Sequence, residues 1–228
     1  MRKILCSVLL LCSFVSAQAQ IIEDITIGIF ARPMISYLRA ENPQIDGGSD
    51  FGWELGTVVD YALNDRYFIT TGLQYSKIQA PLEALETDQE ALSKMSFRLG
   101  YLQIPIAFKG KTNEFSTSGS GFFRYSKFFG QFGISPSILV DGRFDRDRPD
   151  DAGEIINGKI DGIAKPITFT WNLAVGLEYA LEANTALFTS VYFDRSFSNL
   201  LYDEAMDIAN DDDKVIFASL GLRIGIYF

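Results

Sequence analysis

Val215–Phe228 reads VIFASLGLRIGIYF. Taken in steps of two, Ile216, Ala218, Leu220, Leu222, Ile224, Ile226 and Phe228 form one series. Phe217, Ser219, Gly221, Arg223, Gly225 and Tyr227 form the other. Side chains alternate across a β-strand, so the first series is a continuous apolar face and the second is mostly small or polar. An apolar strand face must meet either a protein core or the acyl chains of a bilayer. The rest of the chain decides between them.

The alternation recurs in seven further segments, near 25–37, 51–63, 67–76, 101–109, 127–140, 167–179 and 187–194. The clearest sets Ile167, Phe169, Trp171, Leu173, Val175, Leu177 and Tyr179 against Thr168, Thr170, Asn172, Ala174, Gly176 and Glu178. Several segments match the ~9–11 residues that a tilted strand needs to cross a bilayer. Tight turns rich in Asn and Asp, at Leu63–Tyr67 (LNDRY) and Leu181–Thr185 (LEANT), alternate with longer polar connections near 38–50, 79–95, 141–165 and 197–213. Gly110–Arg124 (GKTNEFSTSGSGFFR) breaks this rule, being long where a short turn is expected.

At the other end, Arg2 and Lys3 precede the apolar run Ile4–Val15 and an Ala17-Gln18-Ala19 cleavage pattern. Residues 1–19 therefore read as a cleaved secretory signal peptide and 20–228 as the mature domain. Leu11 is bulky where a lipoprotein signal has a small residue before its cysteine. Cys6 and Cys12 leave with the signal, so no disulfide framework is expected. Cleavage leaves 18 basic residues against 29 acidic ones, a net charge of −11 that argues against nucleic acid as a partner. No later apolar run is long enough for a spanning helix, so membrane residence requires a closed barrel.

A soluble eight-stranded barrel is the alternative. Two features favour the membrane. The face opposite the apolar one carries Gly, Ser, Thr, Ala, Gln and Asn with single charges, Arg32, Glu54, Asp60, Lys127, Glu178 and Arg223, as suits a narrow lumen closed by an ion network. Aromatic residues gather at both ends of the apolar face: Tyr37, Phe51, Trp53, Tyr75, Phe169 and Phe193 at one, Tyr61, Tyr67, Phe108, Tyr179 and Phe228 at the other. Paired girdles are expected where rings meet lipid headgroups. The predicted fold is all-β, an eight-stranded antiparallel up-and-down transmembrane β-barrel. The predicted location is the outer membrane of a Gram-negative bacterium, with both termini periplasmic.

Ile224, Ile226 and Phe228 resemble the C-terminal signal that barrel assembly machinery reads. Tyr101–Lys109 (YLQIPIAFK) resembles a strand of the PorT-type outer-membrane β-barrel family of Bacteroidetes-type bacteria. Gly133–Val140 (GISPSILV), Val175–Leu181 (VGLEYAL) and Tyr192–Leu201 (YFDRSFSNLL) extend the likeness over about Ile22 to Phe228. Gln103 departs from it, standing where the family pattern has Glu. The resemblance implies an outer-membrane barrel, some of whose relatives assist type IX secretion or gliding.

Chemistry is sparse. The chain has no histidine, and its cysteines belong to the signal. Barrel enzymes commonly use histidine as a base, so no catalysis, cofactor or metal site is expected. Glu54 and Asp60 are the one carboxylate pair to consider as a dyad; neutralisation by lumenal cations is the expectation instead. The acidic loops Asp203–Asp213 and Asp141–Glu154 lack EF-hand spacing and read as solvated surface. Ala80–Met95 has Leu82, Leu85 and Leu92 at spacings that suggest a short helix over the rim. Three functions follow: a structural or accessory part of a surface assembly such as secretion machinery, a binding or adhesion protein acting through its outer loops, or a pore. Eight strands leave a lumen only wide enough for side chains, which disfavours the pore. Expected partners are outer-membrane lipids and lipopolysaccharide, the assembly machinery, and other outer-membrane or secretion-complex proteins.

Overall fold

The computed structural model describes residues 24–40, 45–85, 92–115, 126–147, 156–159, 164–181, 185–197, 199–200 and 215–228. The signal peptide expected at 1–19, the acidic 203–213 run and residues 116–125 of the long connection lie outside them. Twelve strands are present: β1 Ile25–Ala40, β2 Ile45–Gly47, β3 Ser49–Ala62, β4 Tyr67–Thr71, β5 Gln74–Leu85, β6 Leu92–Gln103, β7 Ile106–Lys111, β8 Ser126–Asp147, β9 Ile156–Lys159, β10 Ile167–Ala180, β11 Ala186–Ser196 and β12 Val215–Tyr227. Ten of them make eight staves, because β4 and β5 form one stave broken at Gly72–Leu73, and β6 and β7 form another broken at Ile104–Pro105; β2 and β9 are short additions outside the ring. Every neighbour is antiparallel. β1 pairs with β3, β3 with β4 and β5, these with β7 and β6, both of those with β8, then β10, β11 and β12 follow. β12 returns to β1, with Gly28 opposite Tyr227 and Ser36 opposite Ser219, and the ring closes without a free edge.

The faces follow the alternation. Leu173 and Ile224 are 46% and 52% exposed, whereas their neighbours Asn172 and Arg223 are 0% and 4% exposed. Ile29, Ile35, Phe51, Phe132, Val175 and Leu220 continue the exposed apolar surface around the wall. An uninterrupted apolar exterior over a polar interior is inverted for water and correct for lipid. Twelve residue steps separate Ile167 from Tyr179, ~40 Å along the strand and ~30 Å once tilted by ~40°, the thickness of a hydrocarbon core. Ring pairs stand on this belt: Trp53–Tyr75 with centroids 5.5 Å apart, Trp171–Phe193 at 5.2 Å and Tyr67–Phe108 at 5.4 Å.

The turn at 63–66 forms as its sequence requires. Asn64 folds back on its own hairpin, its Oδ1 accepting from the backbone N–H of Arg66 and of Tyr67 at 2.9 Å each. Leu181 donates its N–H to the Thr185 carbonyl at 2.8 Å. Inside, large side chains fit because glycines face them. A Cβ on Gly225 would run into the Phe188 ring, and one on Gly176 into the Phe129 ring.

The other end differs from expectation. The described residues of the connections at 38–50, 79–95 and 141–165 are largely strand. β5 and β6 pair without interruption from Gln74–Gln103 to Leu85–Leu92, so the described part of Ala80–Met95 is extended hairpin, not helix. β2 adds to β5 and β9 to β8. The physical reason is that the ladder outlasts the belt while its polarity reverses. Beyond Tyr75, Lys77, Gln79, Arg98, Asp141 and Arg143 lie on the outer side, and Ile78, Ala80, Phe97 and Leu99 are buried inside. Leu82, Leu85 and Leu92, whose spacing suggests a helical stripe, lie on the paired strands of this hairpin. From Lys77 to Leu85 is eight steps, which carries the hairpin ~20 Å beyond the belt after tilt.

Candidate functional site: the charged lumen

Three layers fill the ring. Nearest the turns at 63–66 and 181–185, β3 supplies Asp60, β7 Lys109 and Lys111, and β10 Glu178. Lys109 Nζ lies 2.8 Å from Asp60 Oδ2 and 2.5 Å from Glu178 Oε1. Lys111 Nζ lies 2.8 Å from Glu178 Oε2 and 3.6 Å from Asp60 Oδ2. Thr70 Oγ1 donates to Asp60 at 2.6 Å, and Lys109 donates to Tyr227 Oη at 2.8 Å. Aromatic faces complete the cage: Lys109 Nζ sits 4.3 Å from the Phe129 centroid and Lys111 Nζ 4.0 Å from that of Phe68. Two cations and two anions make this quartet neutral.

A second quartet lies deeper. Arg32 on β1 reaches Glu54 on β3 at 2.6 Å and Asp194 on β11 at 2.5 Å, and Arg223 on β12 reaches Glu54 at 3.0 Å. Ser219 Oγ donates to Asp194 at 3.0 Å. The Tyr192 ring lies between the two guanidiniums, 4.6 Å from Arg32 Cζ and 3.6 Å from Arg223 Cζ. This quartet also sums to zero. Arg223 hands the network on to Gln74 at 3.3 Å, and Gln74 donates to Gln103 at 2.7 Å. Asn172 Nδ2 donates to Ser135 Oγ at 3.0 Å on the far wall. Above these polar groups an apolar cluster closes the interior, formed by Met34, Leu38, Ile78, Phe97, Leu99, Tyr101, Leu200, Val215 and Phe217 among others.

Of the six charges singled out from sequence, Arg32, Glu54 and Arg223 meet in the deeper quartet, and Asp60 and Glu178 in the other. Lys127 stands at the rim, where it pairs with Glu114 at 3.0 Å on half-exposed side chains. It has the inward parity but lies too near the end of β8 to be enclosed. Glu54 and Asp60 fall in different quartets, so they form no dyad. Asp194, Lys109 and Lys111 complete the charge balance. Asp194 and Lys109 carry the inward parity in the sequence, but which acid meets which base depends on the stagger of the staves. Buried ion pairs of this kind hold a wall in one geometry. Each acid faces two cations or a cation and a hydroxyl, leaving no carboxylate poised as a base. Among the described residues no group of three or more acids, histidines or cysteines is placed to hold a metal ion.

Residues 18–202 match the family model for the outer membrane protein beta-barrel domain. No curated protein matches the chain. Among solved structures, it is similar to the outer membrane protein OprG from Pseudomonas aeruginosa at 13% identity and a TM-score of 0.40, over 91% of this chain and 96% of that one. Neisserial surface protein A is similar at 13% identity and 0.36, over 88% and 97%. The attachment invasion locus protein Ail of Yersinia pestis, solved in complex with the heparin analogue sucrose octasulfate, is similar at 14% identity and 0.34, over 88% and 98%.

Proposed function

This chain belongs to the outer-membrane β-barrel domain family, and on that premise we propose that it is a non-conducting anchor whose strands carry a binding face beyond the lipid belt. The observation behind this reading is the reversal of polarity along β5, β6 and β8. A ladder that continues past the membrane, polar outside and apolar inside, is built to stand in water. The filled lumen supports the absence of conductance. Export follows the signal peptide at 1–19, and Ile224, Ile226 and Phe228 on one face of β12 serve as the assembly signal. Both termini are periplasmic in this reading, and the projection is extracellular. The belt meets acyl chains, and Lys77 and its neighbours meet lipopolysaccharide headgroups.

A cysteine placed at Arg98 or Arg143 tests the projection, since the mature chain offers no competing thiol. Intact cells should label either with a membrane-impermeant maleimide and leave one at Asp65 unlabelled until they are lysed. Labelling at Asp65 alone would overturn the reading. Planar bilayers containing the folded protein should stay at baseline; a stable open-channel conductance would overturn the non-conducting part. The PorT-type resemblance of YLQIPIAFK supports a finer form, in which the face binds a secretion assembly. Co-purification of secretion components with the tagged chain from native membranes, lost when the β5–β6 hairpin is trimmed, would support that form. Surface adhesion predicts instead that trimming removes cell attachment and leaves secretion intact.

A further inference from the structure

The ring has one seam that chain connectivity does not hold, between β1 and β12, and that seam has a flaw. Phe228 donates its N–H to the Ile27 carbonyl at 2.9 Å, so odd-numbered residues of β1 aim their backbone groups at β12. Pro33 is one of them and has no N–H to give. The pairing runs from Gly28–Tyr227 to Ala31–Ile224 and resumes at Met34–Gly221, with Arg32, Pro33, Leu222 and Arg223 left out of it. On its other side β1 is intact: Arg32 faces Glu54 and Pro33 faces Trp53 in an unbroken ladder. The register on both flanks sets Arg32 and Arg223 against each other at the break, both pointing into the lumen and both buried. Like charges directly opposite on paired strands push them apart.

One carboxylate answers both arginines. Glu54 accepts from Arg32 with Oε2 and from Arg223 with Oε1, at 2.6 and 3.0 Å. The second bond reaches from β3 across β1 to β12. Asp194 does the converse, reaching from β11 across β12 to Arg32 at 2.5 Å. Each acid thus ties together two strands that are not neighbours, and together they straddle the gap. We infer that Glu54 and Asp194 are an ionic latch that closes the barrel where the β1–β12 ladder is broken. Without the latch, the seam is the line along which the wall opens sideways.

The test is amide exchange of the refolded full chain in detergent micelles. In Glu54→Gln, exchange at Ala31 and Ile224 should rise by about tenfold or more, while amides of the β8–β10 ladder such as Ala174 keep their wild-type rates. An equal rise on both ladders, or no rise at the seam, overturns the latch. Should Glu54→Gln fail to fold, Arg223→Met serves in its place. It removes the group through which Glu54 holds β12 and should raise exchange at Ala31 and Ile224 in the same way, and the double variant with Glu54→Gln, which leaves no opposed charges at the gap, should fold. A double variant that still fails to fold counts against the proposal. Pro33→Ala returns a donor to the gap and should slow seam exchange; unchanged exchange means the flaw is not where the seam yields. Asp60→Asn, in the other quartet, should leave the seam alone, and seam opening in that variant would also overturn the inference.

Discussion

In the belt, Leu173 and Ile224 face out and Asn172 and Arg223 face in; beyond it, Lys77, Gln79 and Arg98 face out and Ile78, Phe97 and Leu99 face in. The same staves run through both regions with a period of two, β8 changing phase by one residue at a bulge opposite Gly100 and Tyr101. Only the sign has changed, because the surroundings change from acyl chains to water. In the belt the wall gains little from burying apolar groups, since lipid already solvates them, and ions with their hydrogen bonds fill the lumen. In the projection water drives apolar side chains inward, and the interior is an ordinary core. The β5–β6 hairpin changes solvent along its length without a break in its ladder.

The largest test of this contrast is to unbalance an interior ion cluster. Asp60→Leu leaves Lys109 and Lys111 with Glu178 alone and should cost ~3–5 kcal/mol in urea unfolding from lipid vesicles. A loss below ~1 kcal/mol would mean that water reaches the two ammonium groups, and the lumen would then not be dry. In the projection, Leu99→Ala should cost ~2–5 kcal/mol, because it opens a cavity in a water-driven core. Leu222→Ala, on the lipid face, should cost distinctly less, and equal losses would abolish the distinction between the two interiors. Charge on the exterior sharpens the boundary. Leu173→Arg should cost ~2–4 kcal/mol in the belt, whereas Gln79→Arg should stay within ~0.5 kcal/mol. Smallest in energy is a change of reporter. Brominated lipid should quench Trp53 and Trp171 in the native chain, and should not quench a tryptophan placed by Arg98→Trp in a variant whose native tryptophans are replaced by Phe.

The belt was legible in the sequence because lipid demands an apolar residue at every second position, as Ile167–Tyr179 shows most cleanly. The projection was not. Once the polarity reverses, Ile78 and Ala80 alternate with Lys77 and Gln79 at weaker contrast, Leu82 and Leu85 fall on opposite parities in the sequence, and Pro81 interrupts the pattern, so the stretch reads as loop or helix. The inward parity of Arg32, Glu54, Asp60, Glu178 and Arg223 was likewise legible, but not their grouping. Lys127 has the same parity and stays at the rim, while Lys109 and Asp194 have it and complete the clusters. What separates them is height along a tilted strand, and height depends on the shear of the ring. Lys111 lies where the sequence suggests a connection, since the alternation in Tyr101–Lys109 fades before it. The break at Pro33 is visible as a proline but acquires meaning only once β12 is placed beside β1.

Both quartets sum to zero, and this bears on how the molecule responds to its medium. Folding encloses four cations with four anions, so the surplus of −9 in the full chain is carried entirely by groups outside the quartets. The wall is held by pairs that dissolved salt does not reach, while the acidic remainder is open to counter-ions. Raising ionic strength should therefore change how the protein meets its neighbours and leave the way its staves are fastened untouched.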